Sequence, residues 1–129
     1  VATVAPSATV GVVVAALAEH GVGALVVSDD GRTVAGIVSE RDVVRKLHEM
    51  GADLLCRPVS EIMTTLVATC SPEDSVDSLS VLMTTNRVRH VPVVVDGRLA
   101  GIVSIGDVVK HRITDLQAER DQLRDYIQQ

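Results

Sequence analysis

Ser39-x-x-Asp42 and, 65 residues later, Ser104-x-x-Asp107 place a hydroxyl and a carboxylate three residues apart. That spacing supports two kinds of chemistry. At the start of a helix, the serine oxygen accepts from a first-turn N–H and the acid reaches back to the serine N–H. This is a capping box with Asp where Glu or Gln is usual, and it also suits the helix dipole. The same carboxylate beside a helix N-terminus, whose free N–H groups hold anions and polar ligands, can accept both hydroxyls of a ribose diol. On spacing alone the cap is the favoured reading, because Ser followed three residues later by an acid is a common pattern.

Other reactive residues point to less. Neither serine has a histidine beside it in the sequence to act as a base, so no catalytic residue and no enzymatic activity are expected. Cys56 and Cys70 form no C-x-x-C and are expected as reduced thiols. His20, His48, His90 and His111 offer no pair at metal-ligand spacing on one helix face, so no metal site is expected.

The two Ser-x-x-Asp strings sit inside a longer repeat. Gly36-Ile37-Val38-Ser39-Glu40-Arg41-Asp42-Val43-Val44 matches Gly101-Ile102-Val103-Ser104-Ile105-Gly106-Asp107-Val108-Val109 at seven of nine positions. Val1-Ala2-Thr3 matches Val67-Ala68-Thr69, Pro6 matches Pro72, and Gly31-Arg32 matches Gly97-Arg98, at an offset of 66. The first copy therefore holds one extra residue near Thr33, a cheap change at a loop tip. A fixed-period repeat means two copies of one small unit.

Periodicity gives each unit the order β-α-β-β-α. The first reads as a strand at 1–4, a helix over 8–20, a strand at 24–28, a hairpin turn at Asp29-Asp30-Gly31-Arg32, a strand at 34–38 and a helix from Ser39 to about Met50. The second reads as a strand at 67–70, a helix over 74–85, strands at 91–95 and 98–103 around Asp96-Gly97, and a helix from Ile105. The expected organisation is a first repeat over 1–50, a connecting segment over 51–66, a second repeat over 67–112 and a helical extension over 113–129. Ile113, Leu116, Leu123 and Ile127 lie on a 3-4 seam, interrupted at Arg120, that suits a helix contact between subunits. Helices gathered on one face of a small sheet leave the other face to be covered. Two units packed sheet to sheet solve this for both, which makes the fold class α/β (α+β).

Composition excludes several functions. Of 129 residues 47% are hydrophobic but only 1% aromatic, so the core is aliphatic and no rings are available to stack on bases. A net charge of −5 argues against a nucleic-acid binder, which needs a basic face. No apolar run approaches the roughly 20 residues of a membrane span, and a cytoplasmic setting is expected.

The ordered pair of β-α-β-β-α units, each closed by Gly-Ile-Val-Ser-x-x-Asp-Val-Val, resembles a tandem CBS domain pair, or Bateman module. Arg87-Val88-Arg89-His90-Val91-Pro92-Val93 is similar to the family's approach to its middle strand, with Gly21 to Val27 in the matching place. Pro58 to Thr64 looks like the family's lead into a unit. The resemblance covers about residues 1–112. It implies pseudo-twofold packing with two clefts that take adenine-containing ligands as regulators: AMP, ADP, ATP, NAD or S-adenosylmethionine. Asp42 and Asp107 would bind ribose, with Ser39 and Ser104 beside them. Thr3, Val4, Thr69 and Cys70 would supply backbone contacts to the base, and Val22, Ala24, Val88 and Val91 its aliphatic pocket. Arg89 and His90 are the expected phosphate grip, assisted by Arg41 or Lys110. The resemblance also implies a homodimer formed through the helices, and regulation exerted through a separate protein partner. The competing reading is a dimerising scaffold without a ligand.

Overall fold

The computed structural model describes residues 2–65 and 67–128, with side-chain surroundings as far as residue 118. The first unit comprises β1 (Thr3–Val4), α1 (Val10–His20), β2 (Ala24–Val27), β3 (Gly36–Ser39) and α2 (Glu40–Met50). Two 3-10 turns, Gly51–Cys56 and Val59–Glu61, lead to α3 (Val76–Asn86), β4 (His90–Val95), β5 (Arg98–Ser104) and α4 (Ile105–Gln128). β1 pairs parallel with β2, and β2 antiparallel with β3. β4 and β5 form a separate antiparallel pair.

Local chemistry sets the helix ends. Thr9 caps α1 through Oγ1, which accepts from the Val12 N–H at 3.3 Å. Gly21 ends it at φ 61°, a left-handed conformation that costs glycine little. α1 therefore begins two residues later than the pattern over 8–20 predicts, because Thr9 is extended and takes the cap.

β2 is buried on both faces. Leu25 and Val27 pack into a cluster with Val10, Val13, Leu17, Val38, Leu54 and Val59. Ala24 and Val26, on the opposite face by strand alternation, are 3% and 0% exposed. In the second unit Val91 packs with Leu79, Met83 and Val108, while Pro92 on the other face is also fully buried. Each sheet thus buries the side turned away from its own helices, as sheet-to-sheet packing of the repeats requires.

Other elements also differ from their expected form: the helix expected over 74–85 is Val76–Asn86, capped by Ser75. Residues 67–70 contribute only an isolated bridge, Cys70 to Val93. The β4–β5 register shifts between Val93 and Val94, and such an irregularity breaks the straight edge a longer strand would need. The tight hairpin expected at 29–32 is a wider loop, so β3 starts at Gly36 rather than Val34. Asp30 organises it: Oδ1 accepts from the Arg32 and Thr33 N–H groups, both at 2.8 Å. Those backbone bonds hold its carboxyl well below the usual carboxylate range. Asp96-Gly97, by contrast, makes the two-residue turn, with φ of 52° and 76° at its centre. The Leu123 and Ile127 part of the expected seam lies outside the residues with described side chains. Ile113 and Leu116 are more than half exposed.

A cleft between the two repeats

Both Ser-x-x-Asp strings form capping boxes. The Ser39 N–H donates to Asp42 Oδ2 at 2.8 Å, the Ser39 hydroxyl to the same oxygen at 3.0 Å, and the Asp42 N–H to Ser39 Oγ at 3.3 Å. The second copy repeats this, with 3.0, 3.0 and 3.2 Å between Ser104 and Asp107. These bonds hold the Asp107 carboxyl below its ordinary pKa. In each box the bonds fall on Oδ2, so a cap and a ligand contact through Oδ1 are compatible.

A second repeated device fixes these helix starts. The Glu40 N–H donates to the Gly23 carbonyl at 2.9 Å, and the Ile105 N–H to the Arg89 carbonyl at 2.7 Å. Each helix start is thereby tied to the segment leading into its unit's middle strand. With the Glu40 and Asp42 N–H groups already engaged, positive character here must come mainly from side chains rather than from the helix end.

Between the repeats lies a cleft of about 520 Å³, within the size range of small-ligand sites. The first unit lines it with Gly23, Ala24, Ile37, Ser39, Glu40, Arg41, Asp42 and Arg45. The second contributes Asn86 through His90 and Ser104 through Gly106, and Thr64, Val67 and Ala68 of the connecting stretch complete it. Gly23 matters for its closeness: a Cβ there would stand 3.4 Å from both Glu40 Oε1 and His90 Nε2. Glu40 of the first repeat and His90 of the second thus both stand close over Gly23. Burial pushes the His90 pKa below its ordinary value, with Arg89 adding to the shift and Glu40 and Asp107 opposing it.

Of the residues singled out from the sequence, Ser39, Asp42, Ala24, Arg41, Val88, Arg89, His90 and Ser104 line this one cleft. Asp107 and Lys110 are exposed on the first turns of α4 and stand outside it. Val22 lies instead in an apolar groove with Val14, Leu17, Val43 and Val44, between α1 and α2. Val4, Cys70 and Val91 are core residues. The Val4 carbonyl accepts from the Ser28 N–H, and the Cys70 N–H and carbonyl both bond β4. Burial raises the Cys70 thiol pKa, which leaves it an unreactive thiol. Thr3 lies in β1 and Thr69 is exposed, both away from the cleft lining. Glu40, Arg45 and Thr64 join the cleft without having been singled out. Arg45 had a signal, since it falls one helical turn after Arg41 on the same face.

The CBS domain family model matches residues 1–49 and 59–113. A mitochondrial CBS domain-containing protein of Arabidopsis thaliana, CBSX3, is 41% identical over 119 residues, 89% of this chain and 58% of that protein. The chain thus spans somewhat over half the length of that relative. The crystal structure of a CBS-domain-containing protein from Agrobacterium tumefaciens superposes with a TM-score of 0.83 at 48% identity, covering 87% of this chain and 89% of that one. A CBS domain pair solved in complex with 5'-methylthioadenosine and S-adenosyl-L-methionine superposes at 0.76, with 26% identity over 84% of this chain and 87% of that one. The chain belongs to the CBS domain family and is a tandem CBS pair. No helix among the described residues is long and apolar enough to cross a membrane.

Proposed function

We propose that this CBS pair is a regulatory module that binds an adenine-containing nucleotide in the cleft between its repeats. One observation carries the reading: a single cavity sets the Asp42 carboxylate of the first repeat across from Arg87, Arg89 and His90 of the second. A ribose diol on Asp42 Oδ1 directs the 5' substituent toward the cationic wall. Ala24, Ile37, Val67 and Val88 offer aliphatic surface for a flat base, as a chain nearly free of aromatics must. The complex of the 26%-identical relative with two adenosine derivatives supports the ligand class. A ligand gripped by both repeats reports its presence by favouring one arrangement of them over another. The module acts by binding rather than catalysis, and its readout passes through a dimer or partner interface. A cytoplasmic setting belongs to this proposal, although the Arabidopsis relative is named as mitochondrial.

The competing scaffold reading draws on a different observation. Val44 and Val81 are 65% and 64% exposed, and the groove of Val14, Val22 and Val43 is apolar. Such faces suit a helix-mediated homodimer with or without ligand. Calorimetric titration with AMP, ATP, NAD and S-adenosylmethionine separates the two. Binding that Asp42→Ala abolishes and Asp107→Ala retains is the expected result. No binding of any of the four to folded protein would leave the scaffold, with both Ser-x-x-Asp strings as helix caps alone. Light scattering at micromolar concentration is expected to give the mass of a dimer.

A further inference from the structure

Resting on the adenine-nucleotide reading, the geometry points to a narrower ligand class: a nucleoside di- or triphosphate, gripped by four guanidinium groups, in preference to a monophosphate or a sulfonium nucleoside. The chain has a net charge of −5 and only 12 Lys and Arg in all, yet Arg41, Arg45, Arg87 and Arg89 line this one cleft. Arg41 and Arg45 are one helical turn apart on α2, where like charges repel. Arg87 and Arg89 alternate on the facing segment. Among the described residues, none of the four forms an ion pair; the arginines that do are Arg57 with Glu61 and Arg112 with Asp77. Neither of the cleft's two carboxylates, Asp42 and Glu40, pairs with any of the four, and Asp42 Oδ2 is engaged in its capping box. Two facing pairs of unpaired guanidinium groups match an extended row of phosphates, each able to take a bidentate contact. A row of phosphates engages both walls at once, and a sulfonium adds a positive charge to a positive cleft.

The backbone at Arg87 is an independent observation. Gly21 and Arg87 hold the same place in the two repeats, each ending a helix in the left-handed conformation, at φ 61° and 54°. They close their helices alike: Gly21 donates to Ala18 and Val22 to Leu17, at 3.3 and 3.1 Å, while Arg87 donates to Thr84 and Val88 to Met83, at 3.3 and 3.0 Å. Glycine does this without steric strain and a residue that carries a Cβ does not. The backbone task therefore gives no reason for arginine at 87, whereas its side chain reaches the cleft. Arg87 is a phosphate ligand held at some expense to the fold.

The test is titration of the full chain with ATP, ADP, AMP and S-adenosylmethionine at one ionic strength, for wild type, Arg45→Ala and Arg87→Gly. Expected are affinities in the order ATP, ADP, AMP, with ATP about tenfold or more above AMP, a difference suited to added charge-assisted bonds. In both variants the ATP-to-AMP ratio falls toward one, and Arg87→Gly melts at a higher temperature than wild type. AMP or S-adenosylmethionine binding as tightly as ATP overturns the inference while leaving the adenine reading intact. So does a ratio unchanged in both variants. Failure of all four ligands overturns the adenine reading itself.

Discussion

The two repeats share a set of residues at matched places and hold them in different surroundings. Gly36 and Gly101 are matched in the sequence. A Cβ on Gly36 would stand 2.8 Å from Met63 Sδ and from the Thr64 carbonyl, whereas one on Gly101 meets nothing within 4 Å. The cause is the connecting segment, which folds back on the first repeat. The Val10 N–H donates to the Arg57 carbonyl, Val59 to Ala8 and Ser60 to Pro6, and Thr64 exchanges both backbone bonds with Ile37. Leu54 and Val59 of that segment are fully buried in the first core. Among the described residues the second repeat has no such cover, and its cluster of buried residues is half the size, five against ten. A repeated sequence therefore dictates the repeated order of elements, while the unrepeated stretch decides which copy is the more deeply covered. The cleft is built from both kinds of wall: a firmly packed one bearing Asp42 and a more lightly packed one bearing the Arg87–His90 segment.

The largest effect that would break this comparison lies in the core. Leu54→Ala is expected to cost about 2–5 kcal/mol, the range for deleting a fully buried leucine. Leu79→Ala, in the second repeat and 9% exposed, is expected at or below the lower end. Urea unfolding of both variants measures the difference; equal losses would mean that the repeats are equally packed.

The glycines sharpen the same point at smaller scale. Gly36→Ala forces Met63 and the Thr64 backbone to move and is expected to cost about 1–3 kcal/mol. Gly101→Ala has room and a backbone that alanine adopts, so it should stay within about 0.5 kcal/mol of wild type. Thermal melts of the two single variants suffice. A destabilised Gly101→Ala would show the second sheet to be covered on that side.

The repeat itself made the fold legible, because identical strings at a constant offset predict two identical units whatever their surroundings. Both capping boxes were legible for the same reason, being local chemistry within four residues. What lay beyond reading was each feature that one unit imposes on the other. Glu40 joins the cleft because the start of α2 faces the second repeat, which nothing within α2 shows, and Arg45 could be found only through Arg41 one turn before it. Gly36 and Gly101 look alike until the path of residues 57–64 is known. Residues 67–70 matched 1–4 in composition, yet they pair by a single bridge, at Val93 beside the register shift. Asp107 echoes Asp42 in its own helix cap, yet it is exposed and stands outside the cleft that Asp42 lines.

The smallest expected effect concerns the wall opposite Asp42. Burial holds the free protein's His90 below its ordinary value of 6.5. The unfolded chain therefore takes up a proton more readily there, and the free fold loses stability as pH falls through that value. An anion beside the imidazole favours its charged form and raises the pKa, so binding takes up a proton. Affinity for the nucleotide should then rise severalfold as pH is lowered from about 8 to 6, within the tenfold that one pKa unit represents. The ligand's own phosphate titrates in the same range, so wild type must be compared with His90→Gln, which keeps a polar side chain and cannot gain the charge. Glu40 and Asp107 both favour protonation and Arg89 opposes it, which keeps the effect modest. Parallel pH profiles for the two proteins would place His90 away from the anion. The contribution of the second wall would then rest on its arginines, with His90 left to pack over Gly23 beside Glu40.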